Sequence, residues 1–268
     1  MRASGAGGLD LLPRAPAIEG LTVLEAVDST NQWLLDSIDA EGAAAVHDAA
    51  VTAELQSLGR GRRGRRWASP FGRNLYLSIA WNWAAPVPRL RGLSLAVGVA
   101  VAETIEALTG LAAQLKWPND VYLDGAKVAG ILVETRTVDA ALAVVVGVGL
   151  NVHGLPSVQA GAVEQAWIPL VARAPGVRRE PFLAALVPAL RGALARHRDE
   201  GLSADVRRGF SARDLTLGQW VTGLAEGRTV EGIGRGVAAD GTLAVATDAG
   251  LVHLEAGEVS LRLAGVRP

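Results

Sequence analysis

Residues 56–72 form a stretch that no buried element can hold. Gly59-Arg60-Gly61-Arg62-Arg63-Gly64-Arg65-Arg66-Trp67 places five arginines in the seven positions 60–66. Like charges at that density repel one another unless an anion neutralises them, and unpaired guanidinium groups are too costly to bury. Only Leu58, Trp67, Ala68 and Phe71 are apolar in this stretch. It therefore reads as a long loop that separates the folding elements on either side. The three glycines at 59, 61 and 64 allow main-chain N–H groups to approach a ligand closely. Arginine grips phosphate through paired donors. The loop suits a compact, highly charged anion such as a triphosphate and is expected to be mobile until one arrives. A solvated basic surface and a patch for RNA remain alternative readings of the same residues.

The rest of the chain bounds those readings. Its formal net charge is −1 over 268 residues, so it has no broad basic face for nucleic acid. Half of the residues are hydrophobic, enough for a sizeable core. There is no cysteine, which excludes disulfides, thiolate metal sites and a thioester on the enzyme's own sulfur. The four histidines, His47, His153, His197 and His253, form no metal-binding spacing. The longest apolar run, Ala141–Leu150, is half the length needed to span a bilayer, roughly 20 residues. No signal peptide is evident, so the cytoplasm is the expected setting, with no membrane partner.

Periodicity divides the chain further. Residues 1–20 are rich in Ala, Gly and Pro and read as a loose leader. A strand is expected at 21–27, then a helix at 32–38 behind the capping residues Asp28-Ser29-Thr30-Asn31. Further strands are expected at 49–53 and 74–83, the latter with Leu75, Leu77, Ile79, Trp81 and Trp83 on one face. A helix at 93–108 keeps Glu103 and Glu106 on its wet side. Strands follow at 113–117, 121–123, 128–135 and 141–152, with Asp124-Gly125 as a tight turn. Helices are expected at 180–199, kinked at Pro188, and at 203–210. Beyond a boundary near Arg213, short strands at 220–224, 229–237, 243–247, 251–254 and 259–263 read as a small β-barrel. The fold class is α+β, with a mainly antiparallel mixed sheet and helices over residues 21–213 and the barrel over 214–268.

Five blocks carry a resemblance. Gly59 to Trp67 resembles the GRGRxGRxW signature of the biotin–protein ligases, and Lys116-Trp117-Pro118-Asn119-Asp120 matches their KWPND motif. Lys127-Val128-Ala129-Gly130-Ile131-Leu132-Val133-Glu134 is similar to their K(L/V)AGILxE segment, and Gly147-Val148-Gly149-Leu150-Asn151-Val152 to their GxGxN segment. Ser29-Thr30-Asn31 and Gln56 stand where that family places biotin contacts. The blocks occur in family order, and the resemblance runs from residue 21 to the C-terminus. It implies the class II synthetase-like biotin–lipoate ligase fold with an SH3-like terminal domain. It also implies ATP-dependent formation of biotinyl-5′-AMP with Mg²⁺, then transfer of biotin to one lysine of a biotin carboxyl carrier protein. Lipoate ligases share the fold but lack the arginine-glycine loop; a lipoate or other acyl ligase is the nearest alternative, and a nucleic-acid binder the more distant one. Some relatives begin with a winged helix-turn-helix. The short leader here leads to the expectation of a ligase without DNA binding, possible as a homodimer through a sheet edge. Leu58 replaces a smaller residue of many relatives, with little expected effect.

The resemblance distributes roles. Biotin's head group falls to Ser29, Thr30, Asn31 and Gln56, with Gly59, Arg60 and Gly130 nearby. Lys127 and Arg62 are the candidate catalytic cations, holding biotin's carboxylate against the α-phosphate. ATP is assigned to Arg62, Arg63, Arg65, Trp67, Lys116, Asn119 and Asn151, and magnesium to Asp120 and Asn119, whose hard oxygens suit it. Each has a plainer reading: Ser29-Thr30-Asn31 as a helix cap, Lys127 as a solvated strand end, Trp67 as a core anchor, and Pro118-Asn119-Asp120 as an ordinary turn. Asn151 reads also as a strand-end turn residue, and Gly130, Gly147 and Gly149 as bulge glycines.

Overall fold

The computed structural model describes residues 10–13, 18–156, 166–225, 228–255 and 262–263. Seven strands form one sheet: β1 (Leu21–Val27), β2 (Ala50–Gln56), β3 (Leu75–Asn82), β4 (Gln114–Lys116), β5 (Asp120–Leu123), β6 (Ala126–Val138) and β7 (Ala141–Leu150). Their spatial order is β1-β2-β3-β7-β6-β5-β4. Only β1 and β2 run parallel; the other neighbours are antiparallel. The mixed, mainly antiparallel sheet expected from the sequence is thus present.

Helices cover both faces. Helix α1 (Thr30–Glu41) packs Leu34, Leu35 and Ile38 against Val51, Ala80, Ala143 and Val145. Helices α2 (Leu93–Thr109) and α3 (Arg179–Glu200) build the larger core on the other face, with Leu77, Ile79, Val146 and Val148. This explains β3: Leu75, Leu77, Ile79 and Trp81 share one face as expected, but residues 75–81 are all buried, because α1 covers the alternate positions. With the turn before it, α2 is long and apolar enough to cross a membrane by composition (Val87–Thr109). Eleven of its residues are instead buried inside this fold. Helix α3 runs unbroken through Pro188, and a short α4 (Ala204–Ser211) follows, capped where Ser203 Oγ accepts from Val206 N–H.

Two turns set the register beside the cleft. Asp124-Gly125 has positive φ at both positions, 49° and 75°, the two-residue hairpin expected there. Asp139 and Ala140, at 49° and 64°, turn β6 into β7 in the same way. Between these turns β6 carries a bulge: Tyr122 pairs with Lys127 but Val121 pairs with Ala129, leaving Val128 as the extra residue. Val128 is fully buried in the larger core. Bulges re-aim neighbouring side chains, and Lys127 turns towards the opposite face.

The segment read as a loose leader departs from that expectation where it is described. Leu12 is buried, and its N–H donates to Glu54 Oε1 at 2.7 Å. Asp10 reaches the start of α3, accepting from Arg179 N–H at 2.7 Å. Short apolar runs in Ala/Pro-rich sequence give no periodic signal, so this docking was not legible.

At the other end, β8 (Trp220–Ala225), β9 (Arg228–Val237), β10 (Leu243–Thr247), β11 (Gly250–Leu254) and β12 (Arg262–Leu263) form a separate antiparallel sheet, ordered β11-β10-β9-β8-β12. The last expected strand, 259–263, lies largely outside the described residues. The connecting segment does not hang free. Leu115 N–H donates to Arg213 O at 2.7 Å, and Leu215 N–H to Leu115 O at 2.8 Å, which lays it beside β4. Trp117, itself buried, donates its indole N–H to Gly241 O at 3.1 Å.

Candidate active site

The start of α1 and the end of β2 build a polar clamp. Ser29 occupies the N-cap position, but its side chain makes no capping bond. The helix therefore begins through the backbone, Trp33 N–H donating to Ser29 O at 2.9 Å, and the three polar side chains serve something else. Ser29, Thr30 and Asn31 are all buried. Gln56 Oε1 accepts from Thr30 N–H at 2.9 Å and lies 3.1 Å from its hydroxyl. Ser78 Oγ lies 2.6 Å from Asn31 Oδ1 and 2.7 Å from Thr30 Oγ1. Its one hydrogen is best used on the amide oxygen, which cannot donate. This fixes which way the Asn31 amide points. The amide sits directly on the sheet: a Cβ added at Gly147 would lie 2.3 Å from Asn31 Oδ1. That glycine is needed for the close approach.

The arginine-rich stretch is a hairpin. Arg60 bridges Arg66, Gly61 N–H donates to Arg65 O at 2.7 Å and Trp67 N–H to Gly59 O at 2.8 Å. At its tip Arg63 and Gly64 both take positive φ, 58° and 70°. The base is tied beneath the clamp: Gln56 Nε2 donates to Ser69 Oγ at 2.9 Å, and Ser69 Oγ to Trp67 O at 3.1 Å. A Cβ on Gly59 would meet Trp67 O at 2.5 Å. The arginines divide into two sets. Arg60 pairs with Glu134 at 2.8 Å and Arg62 donates to Asn119 Oδ1 at 3.1 Å. Arg63, Arg65 and Arg66 stay exposed. Burial and the neighbouring Arg63 charge push the Arg62 guanidinium below its ordinary value, against the opposing pull of Asp120; Arg65 adds to the lowering. An anion placed there would relieve that strain on the charge.

Lys127 faces this hairpin. Its Nζ lies 2.6 Å from Asp120 Oδ1 and 5.3 Å from the centre of the Trp67 ring. The indole rests on the sheet: Cβ atoms at Gly149 and Gly130 would lie 2.4 Å and 3.0 Å from it. Asn119 Nδ2 donates to Ile131 O at 2.8 Å, which leaves its oxygen to Arg62. The cleft between these groups encloses about 480 Å³ not filled by protein atoms, part of it open to solvent. Ser29, Thr30, Asn31, Gln56, Arg60, Arg62, Trp67, Asn119, Lys127 and Gly130 all line it.

Other expected residues lie elsewhere. Gly59, Arg63 and Arg65 line a second groove on the hairpin's outer side, with Leu58, Leu132 and Glu134. Lys116 is not on the cleft; its ammonium sits 3.5 Å from the Tyr122 hydroxyl. Asn151 is buried behind the cleft, its backbone N–H donating to Val128 O at 2.8 Å and its amide lying 3.4 Å from Lys127 O, so it steadies the Lys127 strand. Asp120 and Asn119, expected to meet magnesium together with the triphosphate, face two cations in this arrangement. Their oxygens lie against Lys127 and Arg62, and no cluster of three metal-ligating side chains occurs among the described residues. They orient those two cations.

Sequence reasoning missed Ser78, Ser69 and Tyr76, and gave Glu134 no role. Ser78 carried a usable signal, a small hydroxyl in the middle of a strand whose other residues up to Trp81 are all aliphatic or aromatic. Tyr76 lines the cleft and donates to Pro70 O at 2.9 Å. Burial pushes its phenol well up, so it remains a neutral donor.

Comparison with known proteins agrees with this geometry. The profile of the biotin/lipoate A/B protein ligase family matches residues 23–151, and that of the biotin protein ligase C terminal domain matches residues 216–262. The bifunctional ligase/repressor BirA of Escherichia coli is 39% identical over 246 residues, covering 91% of this chain and 74% of its own length. The biotin–[acetyl-CoA-carboxylase] ligase of Paracoccus denitrificans is 36% identical, covering 78% and 88% of the two chains. Among solved structures, the biotin protein ligase from Aquifex aeolicus in complex with biotin and ATP superposes with a TM-score of 0.77 at 28% identity, covering 92% of this chain and 100% of that one. With a polar clamp, a cationic hairpin and a strand-borne lysine converging on one cleft, and with relatives of this extent, the chain belongs to the biotin protein ligases of the biotin/lipoate A/B protein ligase family.

Proposed function

We propose that this chain joins biotin to a protein lysine at the expense of ATP. The observation that carries the reading is the convergence of Lys127 and Arg62 on a cleft whose other end is the Ser29-Thr30-Asn31-Gln56 clamp. The clamp offers donors and acceptors to a ureido head group, and the glycines beneath Trp67 and Asn31 let those two side chains sink onto the sheet and leave room above them for the ligand. In the first step a biotin carboxylate oxygen attacks the α-phosphorus. A new P–O bond forms, and the bond to pyrophosphate breaks. Two anions must be brought together for this, so a desolvated pair of cations between them is the main requirement. Lys127 exchanges Asp120 for those oxygens, and Arg62 exchanges Asn119. Exposed Arg63 and Arg65 follow the departing pyrophosphate. In the second step the acceptor amine attacks the acyl carbon, a C–N bond forms and AMP leaves. With no cysteine in the chain, no thioester on the enzyme intervenes.

The acceptor is taken to be a biotin carboxyl carrier protein, presented to the open side of the cleft. Magnesium is expected to arrive as the counterion of the triphosphate. A cytoplasmic setting suits a protein without cysteine. An RNA role is not favoured, because Arg60 and Arg62 turn inward to Glu134 and Asn119 instead of presenting a flat basic face. Purified protein given biotin, ATP and Mg²⁺ should yield biotinyl-adenylate by mass spectrometry, and free biotin, not lipoate, should compete. Absence of both the adenylate and biotin-dependent pyrophosphate release would end the proposal. Lys127→Ala is expected to slow adenylate formation by roughly 100-fold or more, the scale of losing one buried charge-stabilising donor, with an unchanged circular dichroism spectrum.

A further inference from the structure

Beyond the Gln56–Ser69–Trp67 tie at its base, the hairpin is joined to the clamp by a carboxylate. Oε2 of Glu134 accepts from Asn31 Nδ2 and from Arg60 Nη2, each at 2.8 Å. Glu134 is not on the cleft; it lines the groove on the hairpin's outer side. It touches no position open to the reacting atoms, and its whole contribution passes through the two residues it holds. Asn31 is then fixed at both ends of its amide, by Ser78 at the oxygen and by Glu134 at the nitrogen. The Glu134–Arg60 pair is the weaker half of this link, since the two side chains are 26% and 35% exposed and water competes for both.

We infer that Glu134 is a positioning residue that couples occupancy of the clamp to closure of the arginine hairpin. A head group bound against Asn31 adds to the restraint that Ser78 and Glu134 already place on the amide. The restrained amide holds the carboxylate in one rotamer, and the carboxylate holds Arg60 and with it one strand of the hairpin. Coupling of this kind is reciprocal, so a hairpin held by Glu134 also tightens binding of the ligand beneath it. The inference rests on the biotin-ligase reading for the identity of that ligand.

Limited trypsin digestion of the full chain tests it, because the hairpin carries the cleavage sites. Cleavage within 60–66 is followed by mass spectrometry with and without saturating biotin, and biotin affinity is measured by calorimetry. In the unmodified chain biotin should slow cleavage there. Glu134→Ala should bind biotin roughly 10-fold more weakly, the scale of one hydrogen bond to a charged group. Biotin at saturation should no longer slow its cleavage. Glu134→Gln keeps an oxygen for Asn31 but no charge for Arg60. It should recover most of the affinity and only part of the protection. Should the alanine variant fail to fold, the glutamine variant carries the test, and full protection in it overturns the inference. A folded alanine variant with unchanged affinity and unchanged protection overturns it too, while leaving the ligase reading intact. An unmodified chain that ignores biotin in calorimetry removes the ligase reading itself.

Discussion

At the scale of single residues, the site is made as much by what is missing as by what is present. The Trp67 indole and the Asn31 amide lie flat on strands because Gly149 and Gly147 have no side chains to lift them. A methyl group at Gly149 would sit 2.4 Å from Trp67 Cε2, far inside van der Waals contact, so the indole must move. Overpacking of this kind costs roughly 1–3 kcal/mol, and each 1.4 kcal/mol is about tenfold in binding. Gly149→Ala is therefore expected to weaken ATP-dependent adenylate formation by about 10-fold or more with the fold retained; an unchanged rate would mean the indole is not held against the sheet during catalysis. The residues that sequence alone brought forward mostly do meet: the clamp, Arg62, Lys127 and Asn119 line one cleft. What sequence could not give is partnership. Nothing in the spacing of Asp120 and Lys127 says that they pair at 2.6 Å, since that follows from the bulge at Val128.

At the scale of elements, periodic signals were read well and non-periodic ones were not. Strands β3, β6 and β7 and helices α1 to α4 announce themselves by apolar spacing and turn residues. The docking of residues 10–13 has no such pattern, although it supplies an important cap. Helix α3 starts at Arg179, whose preceding residue makes no side-chain cap. Asp10 supplies the capping carboxylate from far away in sequence, and the Arg179 guanidinium, wholly buried, also reaches Asp10 O and pairs with Glu54 at 2.8 Å. Burial alone would raise the Asp10 carboxyl. The Arg179 N–H, the His153 ring at 3.1 Å and the Arg179 charge outweigh it and hold the carboxyl below its ordinary range. A carboxyl so depressed stabilises the fold above its ordinary value, and the benefit disappears as the pH falls through its folded value. Asp10→Asn should thus cost about 1 kcal/mol near neutrality in denaturant titrations, and the gap to the unmodified chain should close in acid. A gap that does not depend on pH would remove the charge from this account.

At the scale of the whole molecule, the two sheets are attached by specific bonds. Arg213, at the start of the connection, donates twice to Glu106 of α2, at 2.6 and 2.9 Å. Those bonds hold the Glu106 carboxyl below its ordinary value, against a smaller opposing effect of burial. That a second, smaller sheet follows was legible from the change in turn grammar. The attachment was not, because Glu106 reads from its helix as a wet-side residue. Glu106→Gln should lower stability by about 1 kcal/mol, a melting shift of about 2–4 °C for a chain of this size. As with Asp10, the sign is fixed: the contribution is present above the ordinary carboxylate value and vanishes as acid protonates the group. Calorimetry that finds no shift at neutral pH would show the bidentate pair to be ornamental to the attachment.

The segment laid along β4 has one more effect. Open sheet borders offer unpaired N–H and C=O groups to any passing strand, and proteins must blunt them. Here one border is occupied by the chain's own passage through Arg213 to Leu215, bonded to Leu115 on both sides of Asp214. The seven-stranded sheet keeps backbone open to pairing, among the described residues, along β1 and along β6 beyond Ile131, where β5 has ended. A second molecule that extends this sheet by backbone pairing is therefore steered to those two places and away from β4.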